Sequence, residues 1–195
     1  MENGSRIPLD FRYPFHKRFS KESTMARMTI LTAPDSRLKR KALPVPAVTD
    51  VVRRLMEDMA ETMYHAQGIG LAAPQVGVSQ RVIVVDVHYC QKEGKRNPIF
   101  LANPEIVRQE GEIQWNEGCL SVPEHTAEVT RSAQIQVKGL DQHNREVVID
   151  ADEVMAVCFQ HEIDHLDGVL FIDHLSSLKR SIILQKLKKK KQNAE

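Results

Sequence analysis

The run Gln160-His161-Glu162-Ile163-Asp164-His165 sets two imidazoles four residues apart, with a carboxylate directly after the first. On an α-helix, positions i and i+4 lie one above the other on the same face, so both rings can reach a single ion. A transition metal held in this way lowers the pKa of its water to about 7, and Glu162 stands where a general base is needed to take the proton. The chemistry this spacing proposes is metal-assisted hydrolysis. The competing reading is an ordinary amphipathic helix whose histidines meet carbonyls or water. The approach to the motif, Val154-Met155-Ala156-Val157-Cys158-Phe159, argues against it, because it is apolar almost all round, as in a helix buried at a domain centre. Buried there, two histidines and a glutamate are costly unless they are paired or ligate a metal.

Hydrolytic sites of this kind use three protein ligands and leave one position open. Downstream, the two usual sources of the third ligand fail. A histidine six residues after the second falls on Phe171, although Gly168 matches the intermediate glycine, and the only glutamate after Glu162 is Glu195. Upstream, Cys119 in Glu117-Gly118-Cys119-Leu120-Ser121-Val122-Pro123 is the distinctive candidate. A thiolate with two imidazoles forms a soft donor set that suits ferrous iron, zinc, nickel or cobalt. Read alone, Cys119 fits better as a small buried hydrophobe, the commonest fate of a free cysteine, and only beside the histidine pair does that reading lose its advantage.

A third segment, Gly68-Ile69-Gly70-Leu71-Ala72-Ala73-Pro74-Gln75-Val76-Gly77, lies between a helical run and an apolar strand. It has neither a dinucleotide-type third glycine nor a Gly-Lys-Ser/Thr ending, which discounts a phosphate cradle. It reads either as a tight helix-to-strand loop or as backbone lying close to substrate, with Gln75 an amide donor toward developing negative charge.

Together the three segments, GIGLAAPQ, EGCLS and QHEIDH in that order, resemble the peptide deformylases over about residues 28 to 185. The resemblance implies that Cys119, His161 and His165 ligate one divalent metal ion, Fe²⁺ in the cell, with Zn²⁺, Ni²⁺ or Co²⁺ able to substitute. It implies further that Glu162 is the acid/base, that Gln75 and the backbone N–H of Leu120 hold the oxyanion, and that Gly70, beside Ile69, meets the substrate main chain. The reaction implied is removal of the formyl group from the N-terminal formylmethionine of nascent polypeptides. Its methionine slot would be walled by Trp115, Val154, Val157 and Cys158, with Gly118 leaving room. Val154, Val157, Cys158 and His161 share one helical stripe by their three-and-four spacing, a pattern that plain core packing also produces. In two places the chain departs from better-known members: Thr126 stands where many carry a basic residue, and Cys158 adds a second thiol within one turn of His161. The rival functions are a metallopeptidase, which the failed downstream ligands count against, and a catalytically silent metal-binding homologue, which the complete set of Glu162, Gln75 and ligands counts against.

Such a site needs a frame. The apolar periodicity predicts helices over Asp50 to Ala66, over Ala151 to Leu166 and from Ser176. Strands are predicted around Arg81 to Val87, Pro98 to Leu101, Glu105 to Gln109, Glu128 to Val129, Ala133 to Gly139 and Glu146 to Asp150. The absence of a regular βα repeat argues for an α+β fold, with small antiparallel or mixed sheets around the central buried motif helix and a C-terminal helix. At 195 residues with 42% hydrophobic content, a single domain over residues 28–195 is expected, preceded by an extension over 1–27 that has no signal-peptide core. Cys90, Cys119 and Cys158 do not make a disulfide framework, which points to a reducing compartment, the cytoplasm. No apolar stretch is long enough to span a membrane, and a monomer is expected. From Leu178 to Lys191 the chain carries seven basic residues and no acid, against a net charge of +1 overall. This is either a solvated helix face or a contact for ribosomal RNA where the nascent chain emerges.

Overall fold

The computed structural model describes residues 27–89 and 95–192; Cys90 and nearly all of the expected N-terminal extension lie outside them. Among the described residues no helix is long and apolar enough to cross a membrane. Helix α1 (Asp50–His65) leads to strands β1 (Gly70–Ala72), β2 (Val82–Val85), β3 (Ile99–Glu110), β4 (Ile113–Cys119), β5 (Val122–Arg131), β6 (Gln134–Leu140) and β7 (Glu146–Asp152). Helices α2 (Glu153–Leu166) and α3 (Ser177–Gln192) follow, and short 3₁₀ turns occupy Ser36–Lys39, Ala73–Val76 and Phe171–His174.

Five strands form an antiparallel sheet in the order β1-β2-β3-β6-β7, and β4 pairs with β5 in a separate hairpin. The continuous apolar run of β2 has a direct cause: helices cover both of its faces. Ile83 and Val85 pack in the cluster that contains Phe159, Ile163 and Leu166 of α2, whereas Val82 and Val84 pack with Met56, Met59 and Met63 of α1. Alternate residues point to opposite faces of a strand, so one four-residue strand serves two cores. A third cluster joins β5 through Val122 and Val129 to Leu38, Phe171, Ile172 and Leu187, which anchors α3.

Two strands expected as separate are one. β3 runs through Pro104 because a bulge absorbs the proline: register shifts between Ala102 and Glu105, and Asn103 takes a φ of 50°. The Asn103 amide, at 2.9 and 2.8 Å from the Val45 N–H and C=O, ties the bulge down. The motif helix begins at Glu153 rather than Ala151, since Ala151 and Asp152 remain paired with Ile135 and Gln134 in β7. It ends at Leu166, and the chain turns away after it at Gly168, whose φ of +75° suits glycine and whose Cβ, if present, would lie 2.7 Å from the Lys39 carbonyl oxygen. Finally, the segment Gly70–Ala72, expected to be loop, is a fully buried strand on β2, because buried backbone amides must find partners.

Candidate active site

Three elements converge on one cleft of about 580 Å³. Helix α2 brings His161, Glu162 and His165; the tight turn closing the β4–β5 hairpin brings Cys119 and Leu120; β1 and the 3₁₀ turn after it bring Gly70 and Gln75. Every site residue expected from the sequence lines this cleft except His165, which is 1% exposed and lies behind it. Trp115, Val154, Val157 and Cys158 form part of its wall, with Ile69 and Gly118 beside them and Thr126 also along the lining.

The donor atoms of Cys119, His161 and His165 lie within 4.8 Å of one another, and Cys119 Sγ is 3.2 Å from His165 Nε2. The two imidazoles stand edge to face, at 81° and 4.9 Å between centroids. His161 Nδ1 is 2.7 Å from Glu117 Oε2, which commits that nitrogen and leaves Nε2 for an ion. Glu117 is itself clamped by Arg131, with Nε at 2.6 Å and Nη2 at 3.1 Å from its two oxygens. Burial pushes the Glu117 carboxyl up, but the hydrogen bonds and charges of His161 and Arg131 outweigh it and hold it at about 2. His165 goes the other way: burial, helped by the charges of His161 and Arg131, holds its pKa well below the ordinary histidine value, so it keeps the neutral form that ligates. Its Nδ1 is buried with no hydrogen-bond partner among the described residues. Three converging donors, two buried imidazoles and a half-buried thiol already oriented, fit a divalent transition metal.

Glu162 is 3% exposed, and its Oε2 is buried without a hydrogen-bond partner among the described residues. Burial foremost pushes its carboxyl up to about 7, with the Glu117 and Asp164 charges adding to the rise and His161 opposing it. A carboxyl poised near neutrality suits a group that must both take and return a proton. Gly70 is what admits it, since a Cβ there would lie 2.3 Å from Glu162 Oε1.

Gln75 is buried with both ends of its amide assigned. Its Oε1 accepts from the Ala72 N–H at 2.8 Å, which turns Nε2 toward Ser121 Oγ at 3.2 Å and Cys119 Sγ at 3.6 Å. Cys158, the second thiol near the ligands, is held protonated by burial, and its Sγ lies 3.6 Å from the Ile69 carbonyl oxygen.

Sequence reading missed Glu117, Arg131 and Asp164. Glu117 sits inside a motif that was noticed for its cysteine, and a carboxylate expected to be buried beside a ligand segment is a signal that it needs a cation. Nothing in the spacing pointed to Arg131, which is distant in sequence from the helix it meets.

A buried helix presenting two imidazoles and a carboxylate to a cysteine from a neighbouring hairpin defines a metal-dependent hydrolase. Residues 27–181 match the polypeptide deformylase family, and the chain belongs to that family, metal-dependent enzymes that remove the N-formyl group from newly synthesised proteins. It is 51% identical over 165 residues to a peptide deformylase of Hydrogenovibrio crunogenus, covering 85% of this chain and 95% of that protein. It is 53% identical to one from Alkalilimnicola ehrlichii, covering 85% and 91%. Among solved structures, the peptide deformylase of Legionella pneumophila superposes with a TM-score of 0.79 at 44% identity, over 87% of this chain and 98% of that one. The Ehrlichia chaffeensis peptide deformylase in complex with actinonin superposes with a TM-score of 0.80 at 41% identity, over 85% and 98%.

Proposed function

We propose that this chain deformylates the N-terminal formylmethionine of nascent polypeptides with Glu162 as acid/base, Gln75 and the Leu120 N–H as oxyanion donors, and Cys119, His161 and His165 as metal ligands. The observation that carries the assignment is the convergence of those three ligand groups beside a glutamate poised near neutrality. A divalent cation bound there supplies Lewis acidity and lowers the pKa of the water it holds to about 7. Glu162 accepts the proton from the attacking water and returns it to the departing amine nitrogen, so that formate and a free N-terminus result. As the formyl carbon becomes tetrahedral, the Gln75 Nε2–H and the Leu120 N–H donate to the oxygen that gains charge. The methionine side chain lies in the apolar slot of Val154, Val157, Cys158 and Trp115, while Gly70 and Ile69 meet the peptide main chain.

Fe²⁺ is the native metal in this reading, replaceable by Zn²⁺, Ni²⁺ or Co²⁺, and the enzyme is a cytoplasmic monomer whose single catalytic domain spans 28–195. The test is formate release from formyl-Met-Ala-Ser by anaerobically purified protein with its metal quantified. Turnover that is lost on chelation and restored by Fe²⁺ is expected; a folded, fully metallated protein that releases no formate would leave the silent-homologue reading in its place.

Gln75→Ala is expected to lower kcat by about 10²–10³-fold, the usual cost of one oxyanion donor. It should also destabilise the fold by roughly 1–3 kcal/mol, because the buried Ala72 N–H loses its acceptor. Metal-loaded Gln75→Ala with wild-type kcat would remove Gln75 from the oxyanion site.

The basic end of α3 is proposed as a ribosomal RNA contact. Deleting from Lys186 would also remove Leu187, which is 6% exposed and packed in the third core cluster, so charge removal is the cleaner probe. Replacing Lys188, Lys189 and Lys191 by Gln should weaken ribosome co-sedimentation most at low salt and leave tripeptide turnover intact. Unchanged sedimentation at low salt would rule the contact out.

A further inference from the structure

The mechanism leaves the deeply buried charge of Arg131 unused. Arg131, near the end of β5, has a side chain only 5% exposed, and three of its N–H groups meet carboxylates on two other elements. Nε and Nη2 grip both oxygens of Glu117 on β4, and Nη1 lies 2.7 Å from Asp164 Oδ2 on α2. The same Asp164 oxygen is 2.7 Å from His174 Nε2 beyond the end of the helix. The guanidinium is therefore triangulated between the hairpin that carries Cys119 and the helix that carries both histidines. A planar fork with fixed N–H directions suits this geometry, which a lysine ammonium cannot reproduce.

We propose that Arg131 is a positioning residue for the metal site, acting through Glu117: it fixes the carboxylate that holds His161 by Nδ1, and so aims His161 Nε2 at the ion. Partners that hold the far nitrogen of a ligating histidine set both its ring orientation and its basicity. Glu117 reaches the donor set only through the His161 ring, and Arg131 only through Glu117 and Asp164, so Arg131 is not itself a ligand and does not line the cleft. The inference rests on the assignment of Cys119, His161 and His165 as ligands.

The test is the Zn²⁺ affinity of the wild type, Arg131→Met, Glu117→Gln and the double variant, by competition with a chromogenic chelator, together with thermal unfolding of each metal-free protein. Arg131→Met is expected to weaken Zn²⁺ binding about 10–100-fold, the range for loss of an outer partner of a metal-bound histidine. It also leaves the buried Glu117 carboxylate with His161 alone as its partner, which lowers the metal-free Tm; the double variant removes that charge and recovers the Tm. Because Arg131 acts through Glu117, the double variant should bind Zn²⁺ no more weakly than Glu117→Gln alone. A residue that merely supports the fold would add its own loss to that of Glu117→Gln. That additive outcome overturns the proposal, and so does a double variant that binds Zn²⁺ as tightly as the wild type; both can be read even if Arg131→Met fails to fold. A wild-type chain that binds no Zn²⁺ would instead overturn the ligand assignment itself, so the two failures are distinct.

Discussion

Glu162→Gln should lower kcat for formyl-Met-Ala-Ser by about 10²–10⁴-fold while metal content and KM change little. The amide has the carboxylate's shape but can neither accept the proton of the attacking water nor carry it to the amine. Steric disturbance is excluded as the cause by the fit, since Gln fills the same buried space. The substitution has a second readout that separates it from simple damage. In the metal-free protein, burial raises the Glu162 carboxyl from 4.5 to about 7, so the folded state binds its proton more tightly than the unfolded chain does. A carboxyl raised in this sense costs stability as pH rises from its unfolded value through its folded one. Subtracting the two stability curves, Glu162→Gln should gain on the wild type between pH 4.5 and 7 and keep that gain above 7. A variant retaining a tenth or more of wild-type kcat would dismiss Glu162 as the acid/base, and parallel stability curves would mean that its carboxyl is not held out of the charged state by burial.

The second large effect is expected at Gly70, which has no proton chemistry of its own. A Cβ at this position would lie 2.3 Å from Glu162 Oε1 and 2.8 Å from Cys158 Sγ, well inside van der Waals contact. Either the carboxylate moves or β1 withdraws from α2. Displacement of a catalytic group by about 1 Å costs on the order of 10²-fold in rate, so Gly70→Ala should lose at least that much kcat with its three metal ligands untouched. Full activity in Gly70→Ala would show that Glu162 has freedom the packing denies it.

Much of the site was legible because its chemistry is local in sequence. His161, Glu162 and His165 announce themselves by helical spacing, and the apolar approach from Val154 to Phe159 announces a buried helix; both stand in α2 as expected. Gln75 was legible only in outline. Its residue type suggested a donor, but the Ala72 N–H that consumes its oxygen and turns its nitrogen toward Cys119 ends β1 and caps the 3₁₀ turn holding Gln75, neither of which the glycine-rich run disclosed. The strand Gly70–Ala72 was hidden for a related reason. Small residues have weak strand preference, and here they are tolerated because β2 pairs with the strand while α2 and α1 pack on its two faces, so burial overrides propensity.

The sequence by itself determined the helix with its two imidazoles and carboxylate, the order of the three motifs, the α+β character and the apolar stripe that lies one helical turn from the ligands. Each of these depends on residue type and on repeats of two or 3.6, which are properties of a short stretch of chain. What only the tertiary structure decided is which distant groups meet: the Cys119 thiol with His165, the Glu117 carboxylate with His161, and Arg131 between Glu117 and Asp164. Those contacts span from 14 to 46 residues of chain. They exist because the β4–β5 hairpin folds over α2, and a buried charge is stable only where the whole fold delivers its partner.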